Sequence, residues 1–380
     1  MRTVLMRVAV GLLAVAACTE STPGLAPDRD AEGSAPPDRG GVITDLDNVG
    51  TSLHALGSVW AVTSNLSDEY SPGDVEAAVV RVDPATGEVR RVIDSPGLEP
   101  RLAAAGGRVW AKLDDRLVAL DPDGVEVGEI SVDLSRSDDL VSAGNLIWLV
   151  VTNRNEIVMI DPETVDIVGT VPTGAFPVAP VAAFGFVWVL NLVDGTITTV
   201  DVESGAEGEP VTMFVTENPK FAIPVPGAAI GDEIWVTNID GEIHALPASP
   251  GGADSPRRIE VDEAINSVVV HGDRAFLLPT WGTSVLVLDL GAEVVVREIP
   301  IDSIPVRALV AHGLVWVTGD GERETLTAID PESLDVVGQV GVGTNSSTTT
   351  GPLQPFEVGE EIWVPNRGDD AFFIVHPDDL

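Results

Sequence analysis

Cysteine, lysine and aromatic residues are scarce in this 380-residue chain, which has one Cys (Cys18), two Lys (Lys112 and Lys220) and 5% aromatic residues. A single thiol permits no internal disulfide, so stability has to come from a buried core. A chain of this length can bury about three quarters of its surface. Basic residues are also few: 21 Lys and Arg stand against 60 Asp and Glu, a formal net charge of −39. With no basic stripe, a phosphate-neutralising nucleic-acid surface is excluded. The body would be repelled by an anionic membrane, so any membrane attachment has to be made by a lipid. Segments of helical period and useful length are missing as well. The apolar segment Val8–Ala17 has ten residues, too few to cross a bilayer, which needs about 20.

What is present begins with the amino terminus. Arg2 and Arg7 precede the apolar Val8–Ala17, the arrangement of a secretory signal. The segment closes on Val15-Ala16-Ala17-Cys18, which resembles the lipobox of bacterial lipoproteins, with Val15 in place of the commoner Leu. The resemblance implies cleavage before Cys18 and diacylglycerol on its thiol. Residues 19–40, "TESTPGLAPDRDAEGSAPPDRG", are rich in Pro, Gly, Ser and Asp without apolar period. They read as a disordered tether with a span of about 25 Å. The expected division is a signal peptide at 1–17, a tether from the lipidated Cys18 to residue 40, and one domain at 41–380.

The rest of the chain is a repeat. "GLVWVTGDGERETLTAIDPESLDVVGQVGVG" (Gly313–Gly343) has a Gly, an apolar run with Trp, a polar turn, a second apolar run, Asp-Pro and a third. The aromatic recurs as Trp60, Trp110, Trp148, Trp188, Trp235, Phe276, Trp316 and Trp363, at gaps of 38 to 50 residues. Three or four residues before each stands a Gly: Gly57, Gly107, Gly144, Gly185, Gly231, Gly272, Gly313 and Gly359. Such a period marks a propeller or solenoid. The runs are apolar at both parities, so each sheet is covered on both faces, as stacked blades would be. The predicted fold is all-β, a β-propeller of four-stranded antiparallel blades. Eight blades are expected, with seven as the alternative. "DPATG", "DPDG", "DPET" and "DPES" should join third to fourth strands, and "LVDG" and "NIDG" second to third. The eighth unit supplies three strands only, and "GVITDLDNVG" (Gly41–Gly50) should complete it, so that the two termini close the ring.

"IWVTNIDGEI" (Ile234–Ile243) and "IDPETVDIVGTVPTGAFP" (Ile160–Pro177) are similar to the wording of YVTN-repeat β-propellers. The resemblance covers Gly41 to the end and implies the fold; it does not imply an activity, since propellers host many. Streptogramin lyase and, further off, quinone-dependent dehydrogenases share the architecture.

The repeat aromatics read as packing between blades, leaving Trp281 in "LPTWGTS" as the exceptional Trp. His54, His244, His271, His312 and His376 show no metal-ligand spacing with one another. Glu242-Ile243-His244 has the Glu-x-His spacing that streptogramin lyase uses with a metal, but no second His or Glu follows in a matching place. "DGERE" and "NRGDD" could hold Ca²⁺ yet lack a spaced ligand series, and read as solvated turns. No phosphate loop or nucleophile elbow is present. The best functional signal is positional. Counting six back from each repeat Gly gives a level where the chain enters the axis, with Thr51, Arg101, Asp138, Asn266 and Arg307 on it. Two Arg on one level of so acidic a chain suggest a pocket for an anionic or polar group. The candidate ligand-binding residues are therefore Arg101, Arg307, Asn266, Asp138, Thr51 and Trp281.

The function read from all this is an exported, lipid-anchored propeller on the extracytoplasmic face of the cell membrane. It would bind or scaffold a protein or a small polar or anionic ligand. The competing class is a lyase or lactonase with a divalent metal in the central funnel. Binding is favoured over catalysis, and no cofactor, catalytic residue or protein metal ligand is assigned.

Overall fold

The computed structural model describes residues 41–44, 46–64, 76–96, 100–113, 116–135, 138–212, 229–237, 242–249, 256–321, 323–343 and 352–380. They form eight four-stranded antiparallel sheets. Seven are made in chain order. The eighth takes its outermost strand, Val42–Ile43, from the other end of the chain. The first strands are Ser52–Ala55, Arg101–Ala105, Asp139–Ala143, Pro177–Ala183, Ala229–Ile230, Ile265–His271, Ile304–Ala311 and Phe356–Val358. First strands pack on one another between blades 8 and 1, 1 and 2, 2 and 3, 3 and 4, and 6 and 7, as they do around a propeller axis. The molecule is an eight-bladed β-propeller, as the repeat predicts.

The anchor aromatics explain why the blades stack. Eight apolar clusters occur among the described residues, and each straddles one pair of adjacent blades. Trp60 lies in the seam of blades 1 and 2, Trp110 in that of blades 2 and 3, and so on to Trp363 between blades 8 and 1. Phe276 fills the same place between blades 6 and 7. Each large ring is thus removed from water by the next blade, a stabilisation of about 3 kcal/mol apiece. The indole of Trp60, Trp148, Trp188 and Trp316 also donates its N–H to the carbonyl of the residue just before the turn, Ala55, Ala143, Ala183 and Ala311, at 3.0–3.2 Å.

The turn between first and second strands comes in two forms. In Leu56-Gly57, Gly106-Gly107, Phe184-Gly185 and His312-Gly313, both central residues have positive φ and glycine is second. In blades 3, 5, 6 and 8 glycine is first, as Gly144, Gly231, Gly272 and Gly359, and it alone is left-handed. These are the two hairpin forms that suit the twist of paired strands. They explain why the glycine stands either three or four residues before the aromatic.

The third-to-fourth turns follow the Asp-Pro reading. Asp83, Asp161 and Asp330 each accept backbone N–H bonds from the residues two and three ahead, at 2.8–3.2 Å. "LVDG" closes a tight hairpin between second and third strands, Gly195 N–H donating to Asn191 O at 2.9 Å; "NIDG" lies outside the described residues. In blades 1, 2, 3, 6 and 7 the outer strand carries one extra residue at the same place: Val92, Val127, Val168, Val296 and Val337. A bulge on an edge strand twists it away from pairing with another chain.

Closure occurs as the missing strand demanded. Val42 pairs with Phe373 and Ile43 with Phe372. Ile374 N–H donates to Gly41 O at 2.8 Å, and Leu46 N–H to Asp370 O at 3.2 Å. Leu46 and Val49 then enter the seam between blades 8 and 1, beside Trp363 and Phe372.

Candidate ligand-binding face

Strand direction alternates within each blade. Connections from second to third strand, and from one blade to the next, therefore share one end of the ring, here called the entry end. The short turns between first and second strands occupy the other, the hairpin end. Thr51, Arg101, Asp138, Asn266 and Arg307 stand where chains enter their first strands. Trp281 lies between the second and third strands of blade 6. All six candidates share the entry end, and Trp281 is 69% exposed there.

Strand pairing corrects the level that counting assigned. Arg101 faces Lys112, Asp139 faces Val150, Ser267 faces Leu278 and Arg307 faces Thr318. Each of these partners is two residues beyond the anchor aromatic of its blade. The equivalent set therefore contains Thr51, Arg101, Asp139, Ser267 and Arg307. Asp138 and Asn266 fall one residue off because their blades use the hairpin with glycine first. Asp139 and Ser267 were missed for the same reason. The three- versus four-residue spacing from Gly to aromatic was the signal that would have found them.

Blades 1 to 3 hold a buried polar cluster around Arg101. Arg101 is buried and donates from Nη1 to Thr51 Oγ1 at 3.2 Å. Burial pushes the Asp139 carboxyl up, against the opposing pull of Arg101 and Lys112. Lys112, also buried, donates to Ser135 O at 2.6 Å. Asp138 clamps the chain: its carboxylate accepts from Ser135 N at 2.5 Å, Ser135 Oγ at 2.6 Å and Thr152 N at 2.7 Å. These groups hold three blades in register.

Blades 6 to 8 present a different arrangement. The first strands of blades 6 and 7 each carry one extra residue, Asn266 and Val306. Asn266 Nδ2 donates to Val306 O at 3.0 Å, and Arg307 Nη1 donates to the same oxygen at 2.6 Å. Gln354 Nε2 donates to Ala308 O at 2.8 Å, tying blade 8 to blade 7. Thr318 Oγ1 accepts from Arg307 N at 3.1 Å. Among the described residues no carboxylate pairs with Arg307, and burial alone lowers its guanidinium to about 10. The structure thus brings Arg307 to Asn266 and Arg101 to Thr51, on two different parts of the ring.

The remaining candidates have structural partners. Glu242 and His244 do share a face, with Nε2 3.4 Å from Oε2, and Arg258 pairs with the same carboxylate. His312 lies 3.4 Å from Glu357 and His271 3.9 Å from Glu332. "DGERE" and "NRGDD" are not both solvated turns: Glu324 is fully buried, and Asn366 Nδ2 donates to it at 2.5 Å and to Val342 O at 2.7 Å. Burial, with Asp369 and Asp320 nearby, raises Glu324 to about 7. Among the described residues no group of three or more His, Cys, Asp or Glu is arranged to hold a metal.

No protein-family model matches the chain, and neither does any curated protein. Solved structures do. The chain is similar to the computationally designed Ika8 protein, at 12% identity and TM-score 0.66, over 88% of this chain and 97% of that one. It is similar to the dihydro-heme d1 dehydrogenase NirN in complex with DHE, at 14% and 0.61, over 85% and 77%. It is also similar to BamB from Moraxella catarrhalis, at 12% and 0.60, over 88% and 98%. At these identities the likeness is one of fold.

Proposed function

We propose that the chain is an exported, lipid-anchored propeller that works as a binding or scaffolding module on the extracytoplasmic face of the cell membrane. A full ring similar in fold to BamB along nearly the whole of both chains fits such a module. The observation that carries the proposal is the placement of the tether relative to the polar face. Gly41 pairs at the level of Ile374, near the hairpin end of blade 8, and the closing strand runs from there toward the entry end. A tether over residues 19–40, beginning at a lipidated Cys18, would join the body at the hairpin end. The entry end, with Arg307, Asn266 and Trp281, would then be turned away from the membrane and toward a partner. Cys18 and the tether lie outside the described residues, so the anchor is tested directly. Cells expressing the full chain are fed labelled fatty acid; label should enter the natural chain and be absent from Cys18→Ser. Equal labelling of both would remove the anchor.

A further inference from the structure

Arg307 is an anomaly in an acidic molecule. The chain carries 60 Asp and Glu against 21 Lys and Arg. Carboxylates are abundant, and other arginines of the ring use them: Arg257 binds Glu233 through Nε at 2.7 Å and Nη2 at 2.6 Å, and Arg116 reaches Glu129 at 2.6 Å. Arg307 is half-buried on an axial strand, yet its guanidinium donates to one neutral carbonyl, Val306 O. A guanidinium offers five N–H groups in a planar fork, so most of its capacity is open. Asp320, on the second strand that pairs with it, does not serve it. Its carboxyl is raised by burial, the mark of a carboxylate without a cation beside it.

The surroundings are built for a fixed position. Asn266 on blade 6 converges on the same carbonyl and has a second amide N–H. The bulges that place Asn266 and Val306 side by side occur at matching points of adjacent blades. Bulges of this kind re-aim side chains next to binding sites. Gln354 bolts blade 8 to blade 7 beside them, and Thr318 holds the Arg307 backbone from the second strand. The cation therefore sits on a braced platform at the entry end.

We infer that Arg307 and Asn266 form a site for the carboxylate or phosphate group of a small molecule. The inference rests on the binding-module reading above and names the chemistry of its ligand. Two oxygens of a carboxylate or a phosphate accept parallel N–H bonds from the guanidinium, and one of them accepts from the Asn266 amide. Desolvation, which lowers the guanidinium to about 10, is offset once an anion pairs with it. The negative body discriminates against anions that cannot make these short contacts.

The test uses the full chain with succinate and inorganic phosphate as separate probes, at constant ionic strength adjusted with chloride. Thermal denaturation should show a saturable rise in melting temperature with one or both, and the stronger probe assigns carboxylate or phosphate. Arg307→Gln should weaken the apparent affinity at least tenfold while its unliganded melting temperature stays at or above the parent's. Arg307→Lys keeps the charge and loses the fork, so it should bind with intermediate affinity; it also serves if the Gln variant folds poorly. No saturable shift with either anion, or an equal shift in parent and both variants, overturns the site. Failure here with Cys18-dependent labelling intact would remove the oxyanion and leave the anchored module. An Arg307-dependent shift without labelling would do the reverse.

Discussion

Glu324 shows how a single side chain can set a pH response. It is fully buried between blades 7 and 8, facing Asn366, Asp369 and Asp320, with its carboxyl raised from 4.5 to about 7. Its Oε2 lies where a Cβ on Gly343 would be, so the glycine makes the room. The folded state keeps this proton up to about pH 7, whereas the unfolded chain releases it near 4.5. Between those values the folded state binds more protons, so this group's contribution to stability falls as pH rises and is gone above about 7. Melting curves from pH 4.5 to 8 on the parent and Glu324→Gln should diverge across that window. The Gln variant should melt a few degrees higher at pH 8, because it removes a buried charge crowded by two other acids. Parallel curves would show that Glu324 titrates normally.

Among elements, the hairpin turns make the clearest test because their glycines stand in open space or against a neighbour. At Gly185, φ is +78° and a Cβ would meet nothing within 4 Å. Gly185→Ala should therefore cost only the left-handed backbone, about 1–2 kcal/mol. At Gly144, φ is +57° and a Cβ would lie 2.6 Å from Val202 Cγ1. Gly144→Ala should cost more, since it adds a clash to the strain. Chemical denaturation of the two variants gives the order, and an Ala at 185 that costs as much as one at 144 would refute the assignment of strain alone. The outer-strand valines belong to the same scale of organisation: Val168 and Val296 are 54% and 51% exposed, but each is the bulged residue that spoils its edge for pairing.

The ring as a whole depends on one seam. Every blade but the eighth is made from consecutive chain, so covalent continuity holds seven seams and only side chains and Val42–Ile43 hold the last. That seam contains Trp363 and Phe372 with ring centroids 5.5 Å apart and Phe356 packed edge-on to Phe372 at 6.0 Å. Deleting Ala371–Leu380 removes the third strand of blade 8 and strands the closing strand. The ring should lose several kcal/mol and melt with reduced cooperativity. A truncated chain that unfolds at the parent's midpoint would show that closure contributes nothing.

The amino-acid sequence by itself determined the number of blades, the aromatic in each seam and the closure by both termini. Those features follow from local pattern and from counting: a Gly three or four residues before an aromatic, apolar runs at both parities, and one blade short of a strand. What only the tertiary structure decided is the state of the polar groups at the entry end. Asp139, not Asp138, stands level with Arg101 and Arg307, because the choice of hairpin shifts the register by one residue. Arg101 is matched by Thr51 and Asp139 while Arg307 meets only Val306 O. Glu324 keeps its proton because burial in the seam, with Asp369 on the next blade and Asp320 beside it, outweighs the hydrogen bond that Asn366 donates to its charged form. Partners across a seam are roughly a whole repeat apart in the chain, and whether they neutralise one another depends on rotamers and on water excluded between blades. No local pattern carries that information.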